Sequence, residues 1–303
     1  MHPQSWGRRR LLKALIVPPG LGWLAGHASG CNRAEDQGPL VESFDGEFRV
    51  LEADGIPDHE TGKFPNHGCP FAIKVQDHTY RVRLAPSDLP ELRPIRFWEF
   101  GVAINGVAFD PAGPDWNGDS TSGWQFEVTS AVARPYLGLD SQHAHTQPSG
   151  AYHYHALPPS LLDAATELAE LGMMALVGWA ADGYPIYASF GPIEAMAADS
   201  PLTPLRSSYR LRTGSRPGGP GGSHDGTFVE DHEFLEGLGD LDAANGRFGV
   251  TPEFPEGTYH YVLTKQFPYI PRFFRAEPHA SFGAHARGPG LAGVPPGLRD
   301  YMG

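Results

Sequence analysis

From Glu47 to Val82 short apolar groups alternate with turn formers, among them Gly55-Ile56-Pro57, Gly62 and Phe64-Pro65-Asn66. Phe100 to Phe109 reads as a strand and turn, because Asn105-Gly106 carries the backbone chemistry of a tight hairpin. Trp124 to Val132 reads as a further strand, with Trp124, Phe126 and Val128 on one face and Gln125, Glu127 and Thr129 on the other. One helix stands out. Ser160 is placed to cap it, with Asp163 three residues on in the manner of a capping box. Leu161, Ala165 and Leu168 share a face and Gly172 is a natural stop, so the pattern predicts a substantial helix near 160–171. The apolar run Met173 to Trp179 then reads as a buried strand, turned by Asp182-Gly183 into a second one, Tyr184 to Phe190. With 38 Gly and 30 Pro, the chain is built for many turns. The expected fold is mixed and mainly β, a single domain of many short strands with that one helix, spanning 46–282.

The ends depart from this pattern. The first thirty residues hold Arg8, Arg9, Arg10 and Lys13 with no Asp or Glu, followed by a short apolar stretch that Pro18, Pro19 and Gly20 interrupt. It is too short to span a bilayer and has the layout of an export segment. The run Arg8 to Lys13 resembles a twin-arginine signal, and Ala28-Ser29-Gly30-Cys31 a lipobox whose cysteine would be lipidated. Residues 1–31 are therefore expected to be a twin-arginine-type signal with a lipobox, 32–45 a linker and 283–303 a loose tail. The protein is expected to act outside the cytoplasm, as a membrane-anchored lipoprotein, in the periplasm or at the cell surface, and to meet the membrane only through its lipid anchor. With Cys31 lipidated, Cys69 has no intrachain partner for a disulfide.

Removing residues 1–30 takes away four positive charges and no negative one, which leaves 19 basic against 35 acidic residues. That balance excludes nucleic-acid binding, which needs clustered Lys and Arg. No dinucleotide or phosphate-loop signature appears, so no nucleotide is expected, and the lack of a G-x-S-x-G nucleophile motif as well weakens an enzyme reading without removing it.

The candidate chemistry is in the histidines. Pro148 to His155 and Pro255 to Val262 share the pattern P-x-G-x-Y-H-Y, a Pro/Gly turn feeding a tyrosine-rich strand. Alternation on such a strand sends His153 and His155 to one face and Tyr152 and Tyr154 to the other, with the two histidine Cα atoms about 6–7 Å apart. Both imidazoles could then reach one ion, and imidazole suits zinc, copper, iron and nickel. His143 and His145 form a second H-x-H pair upstream, His143 being the bystander of the two, and His260 holds the repeated position. If like turns orient like strands, the two repeats would lie side by side and bring His145, His153, His155 and His260 to one cavity. Asp182, Glu127 and Glu253 are candidate ligands, partners of a histidine or general bases, and His59 is a weaker candidate for the same pocket. A transition metal, copper or zinc, is the expected cofactor. A metal-dependent or His/Asp-based hydrolase or lyase acting on a small molecule or glycan stays open as the alternative.

Several longer strings carry a resemblance. Gly150 to His155 (G-A-Y-H-Y-H), Gly178 to Tyr187 (G-W-A-A-D-G-Y-P-I-Y) and Asn245 to Tyr261 resemble the YHYH-domain family of bacterial secreted proteins. Gly55 to Asn66, Ile104 to Pro111 and Ala144 to Gly150 extend the likeness, which runs from about Gly55 to Phe282. The resemblance implies a shared fold and a site around these histidines, without an established reaction. It also implies cysteines near the places held here by Ser141 and Ala244, which this chain lacks as a pair.

Overall fold

Strand alternation is visible at once in the first sheet, where His78, Tyr80 and Val82 are buried and Thr79, Arg81 and Arg83 turn outward. The structure, a computed structural model, describes residues 40–96 and 98–283. The export segment with Cys31, residues 32–39 of the expected linker and residues 284–303 of the expected tail lie outside the described residues. The fold is mainly β. Strands β1 (Leu40–Asp45), β2 (Phe48–Ala53) and β3 (His78–Arg83) make an antiparallel three-stranded sheet. The end of the expected linker is thus a strand, because Leu40 to Asp45 pair with Phe48 to Ala53 through a tight Gly46 turn. Strand β4 (Asp88–Pro94) pairs with the last strand, Phe273–Ala276, and so ties the two ends of the domain together.

The centre is an eight-stranded sheet. It comprises β5 (Gly101–Ala103), β6 (Ala108–Phe109), β7 (Ala144–Thr146), β8 (Tyr152–Tyr154), β9 (Leu176–Ala180) and β10 (Pro185–Ala188). After two short ribbons, β11 (Phe190–Pro192) with β12 (Leu202–Pro204) and β13 (Tyr209–Leu211) with β14 (His232–Phe234), come β15 (Gly246–Gly249) and β16 (Thr258–Leu263). The spatial order is β15-β16-β10-β9-β5-β6-β8-β7. Strand β9 lies mid-sheet and is buried along its whole length, which explains its unbroken apolar sequence. Both expected hairpins form, β5–β6 around Asn105-Gly106 and β9–β10 around Asp182-Gly183, with Gly106 and Gly183 at positive φ.

Among the described residues three α-helices accompany the sheets: α1 (Ala133–Leu137), α2 (Pro159–Glu170) and α3 (Ala280–Gly283). Helix α2 is the expected one, burying Leu161, Ala165 and Leu168 and stopping at Gly172, whose φ is +75°. Its start differs from the sequence reading. Pro158 holds the N-cap position and Pro159 opens the first turn, while the Ser160 N–H donates to Gln142 Oε1 at 3.1 Å. Ser160 is therefore not the cap. The expected strand at Trp124 to Val132 is also absent: the segment makes only isolated bridges at Gln125 and Phe126, and from Val128 on it runs through turns into helix α1. Phe126 and Val128 are nevertheless buried, in a small cluster with Phe228 and Leu137 beside the main core. No helix among the described residues is long and apolar enough to cross a membrane.

Candidate metal centre

The turn between β7 and β8 sets the site. Gly150 N–H donates to the Gln147 carbonyl at 2.8 Å around Pro148-Ser149, and Gly150 has φ +90°. Only glycine takes that conformation freely, and a Cβ there would also lie 2.7 Å from Lys74 side-chain carbons. The turn places Thr146 opposite Tyr152 and His145 directly opposite His153. Opposed residues on an antiparallel pair share a face, and so do residues two apart on one strand. His145, His153 and His155 therefore converge.

Their ring centroids are 4.7 to 4.9 Å apart. One nitrogen from each lies within 4.8 Å of the other two, an arrangement able to hold a metal ion. His145 Nε2 and His155 Nε2 are 3.1 Å apart. Two nitrogens bound to one tetrahedral zinc at about 2.0–2.1 Å sit roughly 3.3–3.4 Å apart, so the pair is already near ligand spacing. The tautomers agree. His145 Nδ1–H donates to the Leu137 carbonyl at 2.6 Å, which leaves the lone pair on the inward-facing Nε2. His153 Nδ1 faces the Ala151 carbonyl at 3.3 Å. Metal-binding histidines characteristically spend their second nitrogen in this way. His155 Nδ1 is buried, and the Asp110 backbone lies against that ring.

Burial also sets the charge state. Desolvation, with the neighbouring His153 second, pushes the His145 pKa down to about 3. His155 is pushed well below the ordinary histidine range by burial, then by His153, His145 and Arg272. Both imidazoles are neutral at neutral pH, the form that binds metals.

The tyrosines of the same strand work on the opposite face. Tyr152 donates to Asp140 Oδ2 at 2.7 Å, and Tyr154 accepts from Asn105 Nδ2 at 2.9 Å. Asp140 also accepts from the backbone N–H groups of Gly62 and Gln142, which shapes the loop leading into β7. The alternating Y-H-Y-H string thus divides its labour: tyrosines anchor the strand and histidines face the site.

The other candidates lie elsewhere. His59 contacts Tyr154 Oη at 2.6 Å, on the tyrosine face, so it does not join the cluster. His260 is on β16, five inter-strand steps from β8, or about 24 Å along the sheet. The two repeats are not neighbours, and their histidines do not share a cavity. Burial, aided by Arg247, pushes the His260 pKa down to about 4; its Nδ1 faces the Thr258 carbonyl. Glu253 accepts from Tyr187 at 2.5 Å, and Tyr187 in turn packs edge-on against His260, so these two candidates form a separate group. Asp182 accepts from Tyr261 at 2.5 Å and from the N–H groups of Arg275 and Ala276, a structural role. Glu127 is ion-paired with buried Arg272, which also donates to the Pro111 carbonyl. His143 bonds Arg134 Nη1 at 2.9 Å and stays outside the cluster.

Asp110 escaped the sequence reading. Parallel pairing of β6 with β8 sets Ala108 beside His153 and Phe109 beside Tyr154, which carries Asp110 to the level of His155 on the histidine face. Its charge favours protonated His145. Only the pairing of strands some 45 residues apart reveals it.

A search of curated proteins and a search of solved structures both return no match. The family model described as "YHYH protein" matches residues 79–276, which include every residue of the histidine cluster and all eight strands of the sheet that positions it. The chain belongs to the YHYH family.

Proposed function

We propose that this protein is an extracytoplasmic metal-binding protein that holds one zinc or copper ion on His145, His153 and His155. The observation that supports this reading most is the 3.1 Å approach of His145 Nε2 to His155 Nε2, with the first ring's proton committed to a carbonyl on its far side. With His145 Nε2 left as the acceptor, that approach is bridged either by a proton on His155 Nε2 or by a cation, and a bound ion would take the place of that proton. The three imidazoles would serve as ligands, and the ion would supply Lewis acidity at that point. Titration calorimetry of the metal-free protein with Zn²⁺ or Cu²⁺ tests the reading. One site per chain is expected, and the absence of saturable binding would overturn it.

The export half of the proposal rests on the basic start and the Ala28 to Cys31 string. Cell fractionation should find the wild type with membranes, and Cys31→Ser should release or mislocalise it. A soluble periplasmic wild type would sink the anchor and leave export standing.

One observation favours a second reading, a metal-dependent hydrolase or lyase on a small molecule or glycan. Among the described residues the cluster offers three ligands, and three-ligand sites keep a coordination position open for chemistry. Asp110 on the same face would be the general base.

A further inference from the structure

The central sheet has an internal two-fold pattern. Strands β5 and β9 pair so that Gly101 faces Ala180, Ala103 faces Gly178 and Val102 faces Trp179, an exchange-symmetric register with its axis between Val102 and Trp179. Moving outward on either side, the neighbours are antiparallel, then parallel, then antiparallel: β5-β6-β8-β7 on one side, β9-β10-β16-β15 on the other. The connectivity is the same as well, since each half runs hairpin, edge strand, then the strand between them.

Registers agree residue by residue. Phe109 faces Tyr154 where Ile186 faces Tyr261, and His145 faces His153 where Arg247 faces His260. Side chains repeat the match. Asn105 and Asp182, each in its hairpin turn, hydrogen-bond Tyr154 and Tyr261. Asp140 and Asp242 each accept from the tyrosine that begins the repeat, Tyr152 and Tyr259. The loops after these aspartates also coincide. His143 and Asn245 both have positive φ, 58° and 56°, and their carbonyls accept from the N–H groups of His155 and Val262.

That superposition maps the three histidines onto Arg247, His260 and Val262. We propose that the sheet contains two copies of one metal-site unit, and that Arg247 and Val262 are the residues that deny the second copy its transition-metal ion. The inference rests on the metal reading of the first copy. Three features of the second copy fit it. Arg247 Nη2 is committed to the Pro192 carbonyl at 2.8 Å, and a guanidinium offers no lone pair to a cation. Val262 packs with Leu205 and Leu241. His260 is fully buried with its Nε2 unpartnered, as a surviving ligand without its ion would be.

The test is a transplant read by cobalt. Metal-free wild type and the variant Arg247→His/Val262→His are titrated with Co²⁺, and both the bound equivalents and the visible absorption are recorded. Wild type should bind one equivalent and the variant two, with absorption about doubled. His260→Gln added to the variant should return it to one. A folded variant that stays at one equivalent overturns the inference. Wild type that binds none overturns the metal reading instead, so the two failures are distinguishable. If the paired substitution prevents folding, Leu205→Ala is added to make room beside position 262, and the same counts apply.

Discussion

His260 lies fully buried on β16, and desolvation together with the Arg247 charge holds its pKa at about 4. In the unfolded chain the same imidazole titrates near its ordinary value of about 6.5. Between these values the unfolded state binds more protons, so this group's contribution to stability is present at neutral pH and is lost as pH falls towards 4. From pH 7 to pH 5 the loss comes to about 1.8 kcal/mol for this one residue. Other buried groups pull the opposite way. Burial pushes Asp182 up to about 6 and Glu99 well above its usual range, and each favours the folded state as pH falls through its folded pKa. A single protein's pH profile would therefore mix opposing terms, whereas a difference between two proteins cancels them. His260→Gln keeps a polar side chain of similar size and removes the titration. Denaturant unfolding of metal-free wild type and variant at pH 7 and pH 5 gives the difference directly. The wild-type advantage over the variant should shrink by about 1.8 kcal/mol on going to pH 5. A difference that is the same at both pH values would refute the claim that His260 is held neutral by burial.

Two further outcomes follow from the packing. Gly150→Ala sets a Cβ against Lys74 at 2.7 Å and the Ala72 carbonyl at 2.9 Å in a left-handed conformation, and should destabilise the protein by roughly 2 kcal/mol or more in thermal or denaturant unfolding. An unchanged midpoint would show that the hairpin turn tolerates a side chain. Glu127→Ala strands the buried Arg272 charge, at a cost of about 3–5 kcal/mol, yet should leave metal bound per folded chain unchanged because Glu127 is not a ligand. Loss of metal at full folding would instead place Glu127 in the site.

Local features of the fold were legible where short-range physics decides them. Asn105-Gly106 and Asp182-Gly183 turn their hairpins, Gly172 stops its helix, and the alternation of Tyr152 to His155 puts both histidines on one face. His145 was also within reach, since the Pro148 to Gly150 turn folds it back against His153. What failed was long-range pairing. Two strands with the same P-x-G-x-Y-H-Y chemistry invite the inference that they are neighbours, but β10, β9, β5 and β6 intervene, and the repeats sit at opposite ends of the sheet. That separation removes His260 and Glu253 from the centre. Asp182 shows a related ambiguity: the hairpin turn it was read to make is real, while its carboxylate is consumed by Tyr261 and two N–H groups from residues more than 90 positions away. The cap of helix α2 failed for the same reason, because Gln142 of a distant loop supplies what Ser160 was expected to give.

The central claim is that His145, His153 and His155 hold one transition-metal ion. Elemental analysis of the purified protein beside a His153→Ala/His155→Ala variant tests it most directly, with circular dichroism to show that both are folded. Close to one equivalent of zinc or copper per wild-type chain, and almost none in the variant, is the predicted result. Equal metal content in the two folded proteins would contradict the account.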